Sequence, residues 1–185
     1  MCNVAYKLAS KAIANRLKKI LPSIVSDTQS AFVHGRLITD NILVAFETMH
    51  HINMKKGWKK GEMTLKLDMS KAYDRVEWGC LDKFIEKLGL DSRWRKLLLT
   101  CISTVTYSVR INGMPHGHIV PSRGLQQGDP LSPYIFLLCV EGLFALIKKG
   151  VGDGQLKGIS VCRNRPKLSH LFFTDDSLIF CKASL

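Results

Sequence analysis

The stretch SHLFFTDDSLIFC, residues 169–181, sets two adjacent carboxylates, Asp175 and Asp176, between runs of large apolar residues. Residues 171–173 and 178–180 are rich in β-formers, which predicts two short strands joined by a TDDS turn. Asp and Ser bond to nearby backbone and suit a hairpin tip, so the pair alone requires no chemistry. Whether these carboxylates are turn residues or ligands depends on partners elsewhere in the chain.

One partner lies in MTLKLDM, residues 63–69, which alternates as a strand and carries Asp68 at its end. Three carboxylates delivered from the ends of two apolar strands would repel one another unless cations lay among them. Oxygen donors of this kind suit Mg²⁺. Two such ions, roughly 3.5–4 Å apart, serve phosphoryl transfer by activating an attacking hydroxyl and stabilising the leaving oxygen.

The whole chain limits the alternatives. Its 185 residues make one domain, or one compact piece of a larger one. Lys plus Arg is 27 against 15 acidic residues, a net charge of +12, and so large an excess points to a polyanionic partner, nucleic acid first. The six cysteines never form C-x-x-C, which excludes a metal knuckle and argues against a disulfide framework; most sit among apolar residues and predict buried thiols. His116 and His118 form an isolated H-x-H with no further ligand cluster, so no zinc site is expected there. No signal peptide is visible, and YIFLLCVEGLFALI, interrupted by Glu141, is too short to span a bilayer and predicts a buried helix. An intracellular protein without a membrane partner is the expectation, with nucleus or cytoplasm undetermined.

Residues 4–25 have helical spacing, with Leu8, Ala12, Ile13, Leu17, Ile20, Leu21 and Ile24 on an apolar face and Lys7, Lys11 and Lys18 on another. Turn signals lead to a second helix from 41 to about 54, and the basic loop KKGWKKG at 55–61 either touches phosphates or is simply solvated. After the strand ending at Asp68, residues 70–90 read as helical and closed by Gly89. A helix over Ser92–Ser103 precedes a strand–turn–strand with Asn112–Gly113 at the bend. Ser132 and Pro133 suit the cap and first position of the next helix. Helices and strands mix without a βαβ period, so the fold class is α+β.

LKLDMSKAYDRVEW, RGLQQGDPLSPYIFLLC and HLFFTDDSLIFC closely resemble three ordered motifs of reverse transcriptases, specifically those of plant LINE-type (non-LTR) retrotransposons. The resemblance continues through residues 2–43 and YSVRING, and so covers essentially the whole chain. It implies the polymerase right hand: a palm of antiparallel strands backed by helices, preceded by fingers. Residues of about 1–60 would supply fingers-side helices and loops, and about 61–185 the palm with an inserted helix–hairpin region. Asp68, Asp175 and Asp176 match the catalytic, metal-binding aspartates, with Asp175 the more direct ligand. The implied cofactor is a pair of Mg²⁺ ions, with Mn²⁺ as substitute, and the implied partners are an RNA template, a DNA primer and dNTPs.

The same resemblance places the main-chain N–H groups of 69–73, Ala72 among them, near the incoming triphosphate. Tyr73 matches the aromatic beneath the nucleotide sugar, which excludes a 2′-hydroxyl and selects deoxynucleotides. Gln127, with Gly128 beside it, matches the glutamine near nucleotide and templating base. Arg36 resembles a fingers arginine that contacts template or nucleotide, and Arg123 is a weaker match of that kind. Thr174 stands where the family has Ala, a change that a strand tolerates. Gln126 replaces an Arg, removing a positive charge from the nucleic-acid path.

The chain starts just after the family's R-P-I-S-type segment and stops shortly past the aspartate pair. The later palm lysine, primer grip, thumb and endonuclease are therefore expected to be missing, and the isolated chain is expected to polymerise poorly. The competing expectations are a degraded remnant that only binds nucleic acid and an unrelated Mg²⁺-dependent phosphotransferase; no companion motif supports the latter.

Overall fold

In the computed structural model residues 4–55, 61–162, 166–174 and 176–183 are described. The elements are α1 (Val4–Ile24), α2 (Ile38–Met54), β1 (Glu62–Asp68), a 3-10 turn (Ala72–Arg75), α3 (Trp78–Lys87), α4 (Ser92–Ser103), β2 (Tyr107–Ile111), β3 (Met114–Ile119), α5 (Ser132–Gly152), β4 (His170–Phe173) and β5 (Asp176–Lys182). The mixture of helices with antiparallel strands agrees with the α+β reading. The chain divides into two compact units, one of Met1–Ile20 with Lys71–Cys139 and one of Leu21–Ser70 with Val140–Leu185.

The first unit contains α3, α4, the β2–β3 hairpin and the start of α5. Gly89, at φ +79°, closes α3 as expected, with its N–H on Glu86 O and that of Leu90 on Ile85 O. The helix is shorter than residues 70–90, because the chain first makes the 3-10 turn and then extends through Val76 and Glu77. Arg95 of α4 ties the two helices by pairing with Asp82 at 2.9 Å and Glu86 at 2.6 Å. The hairpin turns at Asn112 (φ 47°) and Gly113 (φ 85°), the left-handed pair that a two-residue connection needs.

The second unit is built on a three-stranded antiparallel sheet in the order β1-β5-β4. Leu171 and Phe180 of one sheet face join Ala45 of α2 and Ile159 in a dry cluster, with Ile52, Leu168, Phe173 and Leu178 packed around it. Across the other face, the buried His170 ring lies 5.1 Å from Phe144 of α5 and 5.0 Å from Phe172. The loop before α2 extends the sheet: Gln29 bridges Phe172 in parallel, and the Phe172 N–H donates to Thr28 O at 3.1 Å.

Several expectations are corrected. The buried stripe of α1 is Ser10, Ala14, Leu17 and Leu21, whereas Leu8 and Ile20 are exposed; one row at helical spacing, rather than every apolar position, marks the packed face. Helix α2 starts at Ile38, three residues before the expected start, since Arg36 and Leu37 end the loop. No described cysteine is fully buried: Cys80 and Cys162 are exposed and the other three half-buried, though burial still pushes the Cys139 thiol up to about 12. Lys55 of the basic loop makes a two-pronged ion pair with Glu62, at 2.9 and 3.0 Å, while 56–60 lie outside the described residues. The apolar face of β1 is only partly covered, with Met63 and Leu65 42% exposed, because β1 is the outer strand. The 132–152 segment is the expected buried helix, and among the described residues no helix is long and apolar enough to cross a membrane.

Candidate active site

Antiparallel pairing of β1 with β5 runs without a slip from Glu62↔Lys182 to Asp68↔Asp176. Asp68 and Asp176 are therefore direct cross-strand partners, and directly opposed residues project to the same face with Cβ atoms about 4.5–5.5 Å apart. Register makes this specific, since a slip of one residue would turn one carboxylate to the other face. On the same face two residues earlier, Lys66 places its ammonium 3.2 Å from Asp176 Oδ1. Sequence reading overlooked Lys66, although its position two residues before Asp68 in an alternating strand was the available signal.

Phe173 pairs with Asp176, the last pair of β4 with β5 before the turn. Asp175 lies outside the described residues. Thr174 is at φ +57°, in the left-handed region, and so belongs to the expected TDDS turn, not to a strand that would tolerate its replacement of Ala. The tight hairpin requires positive φ at this point, and a β-branched side chain makes that conformation a strained one.

Among the described residues no group of three or more His, Cys, Asp or Glu stands ready to hold a metal. Asp68 and Asp176 nevertheless fit a hard divalent cation. They are two carboxylates, directly opposed and open to solvent, and among the described residues Asp176 has the exposed Lys66 as its ion-pair partner.

In the first unit, Ala72 is buried in the 3-10 turn and Lys71 before it is left-handed at φ 53°. Tyr73 stacks on Phe136 of α5 with ring centroids 5.0 Å apart and planes 11° from parallel. The loop at 123–129 is pinned to this turn: Leu125 N–H donates to Tyr73 O at 2.9 Å, Gly124 N–H to Val76 O at 2.8 Å, and Trp78 Nε1–H to Gly124 O at 2.8 Å. Gly124 is required there. Its φ is +91°, and a Cβ would lie 3.2 Å from both Cα and O of Asp74. Gly124→Ala is expected to cost about 2–3 kcal/mol, read as a melting temperature lower by roughly 5 °C or more.

Gln127 is exposed on a cleft of about 700 Å³ that is also lined by Tyr6, Trp78, Tyr107, Gln126 and Asp129. Gly128 follows at φ +80°. Arg123 reaches only Glu77, at 3.3 Å, with both side chains exposed. The start of α5 is capped differently from expectation: Asp129 Oδ1 accepts from Leu131 N–H at 2.7 Å, and Leu131 O takes the first helical bond from Ile135 N–H, so Ser132 is already inside the helix.

Arg36 is 19% exposed, and its guanidinium donates to the carbonyl oxygens of Ser26, Gln29 (2.7 Å) and Val25 (2.9 Å), with Asp27 at 3.6 Å. Glu141, the one charge in the apolar run of α5, accepts from Ser26 N–H at 3.0 Å and Ser26 Oγ–H at 3.1 Å. Burial raises its carboxyl above the usual range, and the Ser26 hydrogen bonds and Arg36 oppose that rise.

The chain belongs to the reverse transcriptase (RNA-dependent DNA polymerase) family, which it matches over residues 1–184. It is 31% identical over 152 residues to a 149 kDa protein of transposon TX1 from Xenopus laevis, covering 82% of this chain and 11% of that one. It is 25% identical over 174 residues to a retrovirus-related Pol polyprotein of the type-1 retrotransposable element R2 from Popillia japonica, covering 94% of this chain and 23% of that one. A mitochondrial protein of Arabidopsis thaliana is 54% identical over 67 residues, 36% of this chain and 55% of that protein. The chain thus spans about half or less of the length of these relatives.

Proposed function

We propose that this chain carries the palm and part of the fingers of an RNA-directed DNA polymerase of a non-LTR retrotransposon, extending a DNA primer on an RNA template with dNTPs. The fingers-side residues are those of about 1–60, and the palm, with its inserted helix–hairpin region, those of about 61–185. The observation that carries the reading is the direct opposition of Asp68 and Asp176 at the β1 and β5 ends. Family membership and the net charge of +12 support a polyanionic substrate.

Asp68, Asp175 and Asp176 would hold two Mg²⁺ ions. Bound there, the ions supply Lewis acidity toward the primer 3′-hydroxyl and the triphosphate. Asp68 and Asp176 keep the site anionic, and Lys66, paired with Asp176, limits their mutual repulsion. The backbone N–H groups of 69–73 cradle the triphosphate, and Gln127 with Gly128 borders the nucleotide and templating base. Tyr73 lies under the sugar, and its stacking on Phe136 fixes the ring that excludes a 2′-hydroxyl.

Primer extension on an RNA template with the purified chain and Mg²⁺ tests this. Template-directed, Mg²⁺-dependent dNTP incorporation above a metal-free control supports it, even at the low rate expected of the isolated chain, whereas salt-dependent nucleic-acid binding with no such incorporation assigns the chain to the binding-only remnant. In an active preparation, Tyr73→Val is expected to raise ribonucleotide use relative to deoxynucleotide use by roughly 10–200-fold, measured as the ratio of kcat/KM values.

A further inference from the structure

The loop between α1 and α2 is buried in part. Gln29, Ser30, Ala31 and Val33 are each 5% exposed or less. Buried loop carbonyls need donors beyond the Phe172 N–H on Thr28 O and the Gln29 N–H on Ser26 O, and a side chain must supply them. Arg36 does. Both Nη1 hydrogens and one Nη2 hydrogen go to the carbonyls of Ser26, Gln29 and Val25, a planar fork spread over two nitrogens whose geometry a single ammonium nitrogen does not match.

The loop so tied is the outer support of β4. Thr28 O receives the Phe172 N–H at 3.1 Å, and Asn41 Nδ2 donates to both Thr28 O (2.9 Å) and Phe172 O (3.2 Å). Thr28 Oγ1 also lies 3.2 Å from His170 Nε2. From the far end, Glu141 holds Ser26 through its N–H and Oγ–H. The anchored residues Phe172 and Phe173 lead straight into the turn whose second strand opens with Asp176.

We infer that Arg36 is a positioning residue, which clamps the 25–29 loop against β4 and so fixes the turn that presents Asp176 opposite Asp68. Its donors are directed inward to carbonyl oxygens, not outward to a phosphate. The clamp stands on the hydrogen bonds alone; its bearing on nucleotidyl transfer rests on the function proposed above.

Amide hydrogen exchange on the full chain tests it, with the Leu81 amide of α3 as internal reference. A charge that binds phosphate is largely replaced by lysine, whereas a three-carbonyl fork is not. Arg36→Lys and Arg36→Gln are both expected to speed exchange at the Phe172 amide about tenfold or more, with Leu81 unchanged. Mn²⁺ affinity should fall several-fold in both variants. Unchanged Phe172 exchange in folded Arg36→Lys overturns the proposal.

The wild-type chain gives a second measurement that does not depend on a variant folding. The Arg36 side-chain N–H resonances should stay in place on adding a DNA primer annealed to an RNA template; a shift showing direct contact with the duplex overturns the inward assignment. If wild type binds neither Mn²⁺ nor the duplex, the polymerase reading fails and exchange at Phe172 alone decides the clamp.

Discussion

Asp68→Asn is expected to remove metal-dependent nucleotide incorporation by about 10³-fold or more, the loss of several kcal/mol of transition-state stabilisation. The same change should leave the metal-free fold as stable as before, or more so by about 0.2–1 kcal/mol. Asp68 and Asp176 are direct cross-strand partners, and like charges so placed destabilise a sheet. Thermal unfolding with and without Mn²⁺ separates the two effects. Wild type should melt higher with the ion, because anything that binds only the native state stabilises it. Asp68→Asn should lose that rise while keeping its metal-free melting temperature. A variant that is unstable without metal would show that Asp68 is a structural residue, and one that retains the Mn²⁺ shift would show that Asp68 does not hold the ion.

Acid is expected to weaken the fold strongly through His170. The ring is 4% exposed and lies between Phe144 and Phe172, with Ser169 Oγ 2.8 Å from Nδ1 and Thr28 Oγ1 at Nε2. Burial lowers its pKa from 6.5 to about 4. Between these values the unfolded chain binds a proton that the native chain refuses, so stability rises with pH. The contribution is therefore whole above pH 6.5, falls as pH drops through that value, and is gone near pH 4. Its size is about 3 kcal/mol at most. Glu141 works the other way: its raised pKa means the native state binds more protons, so its contribution is present on the acid side and is lost as pH rises through the raised value. Urea midpoints measured from pH 7 to pH 4 should show the net fall, and His170→Gln should flatten the curve. An unchanged slope in that variant assigns the acid sensitivity elsewhere.

Much of the candidate site was legible because its signals are local. An alternating strand ending in Asp68, an apolar hairpin around Asp175 and Asp176, and Asn112–Gly113 at a bend are patterns of period two and of turn chemistry. The ordered motifs led to the family from the same residues. Less legible was anything decided by a neighbour far along the chain. The TDDS turn was legible, but the left-handed conformation of Thr174 within it was not, because it follows from how β4 and β5 pair and not from its own side chain. Arg36 read as a cation for template or nucleotide, yet the structure directs its hydrogens to three carbonyls of its own loop. Phe136 went unnoticed beside Tyr73, since stacking across elements leaves no trace in spacing, and although Lys66 shares the face of Asp68, its ion pair with Asp176 depends on the β1–β5 register.

The sequence by itself determined which segments are helix or strand, where the carboxylates stand in them, and the family to which the chain belongs. Periodicity and turn residues act over a few positions, and the family motifs are themselves stretches of sequence. Only the tertiary structure decided that Asp68 and Asp176 share a face, that Ser10, Ala14, Leu17 and Leu21 are the buried stripe of α1, and that a loop arginine braces β4. The reason is physical. Strand register, burial and the pairing of buried donors are set by contacts between distant residues, and one residue of slip in β1 against β5 would undo the site without changing a letter of its motifs.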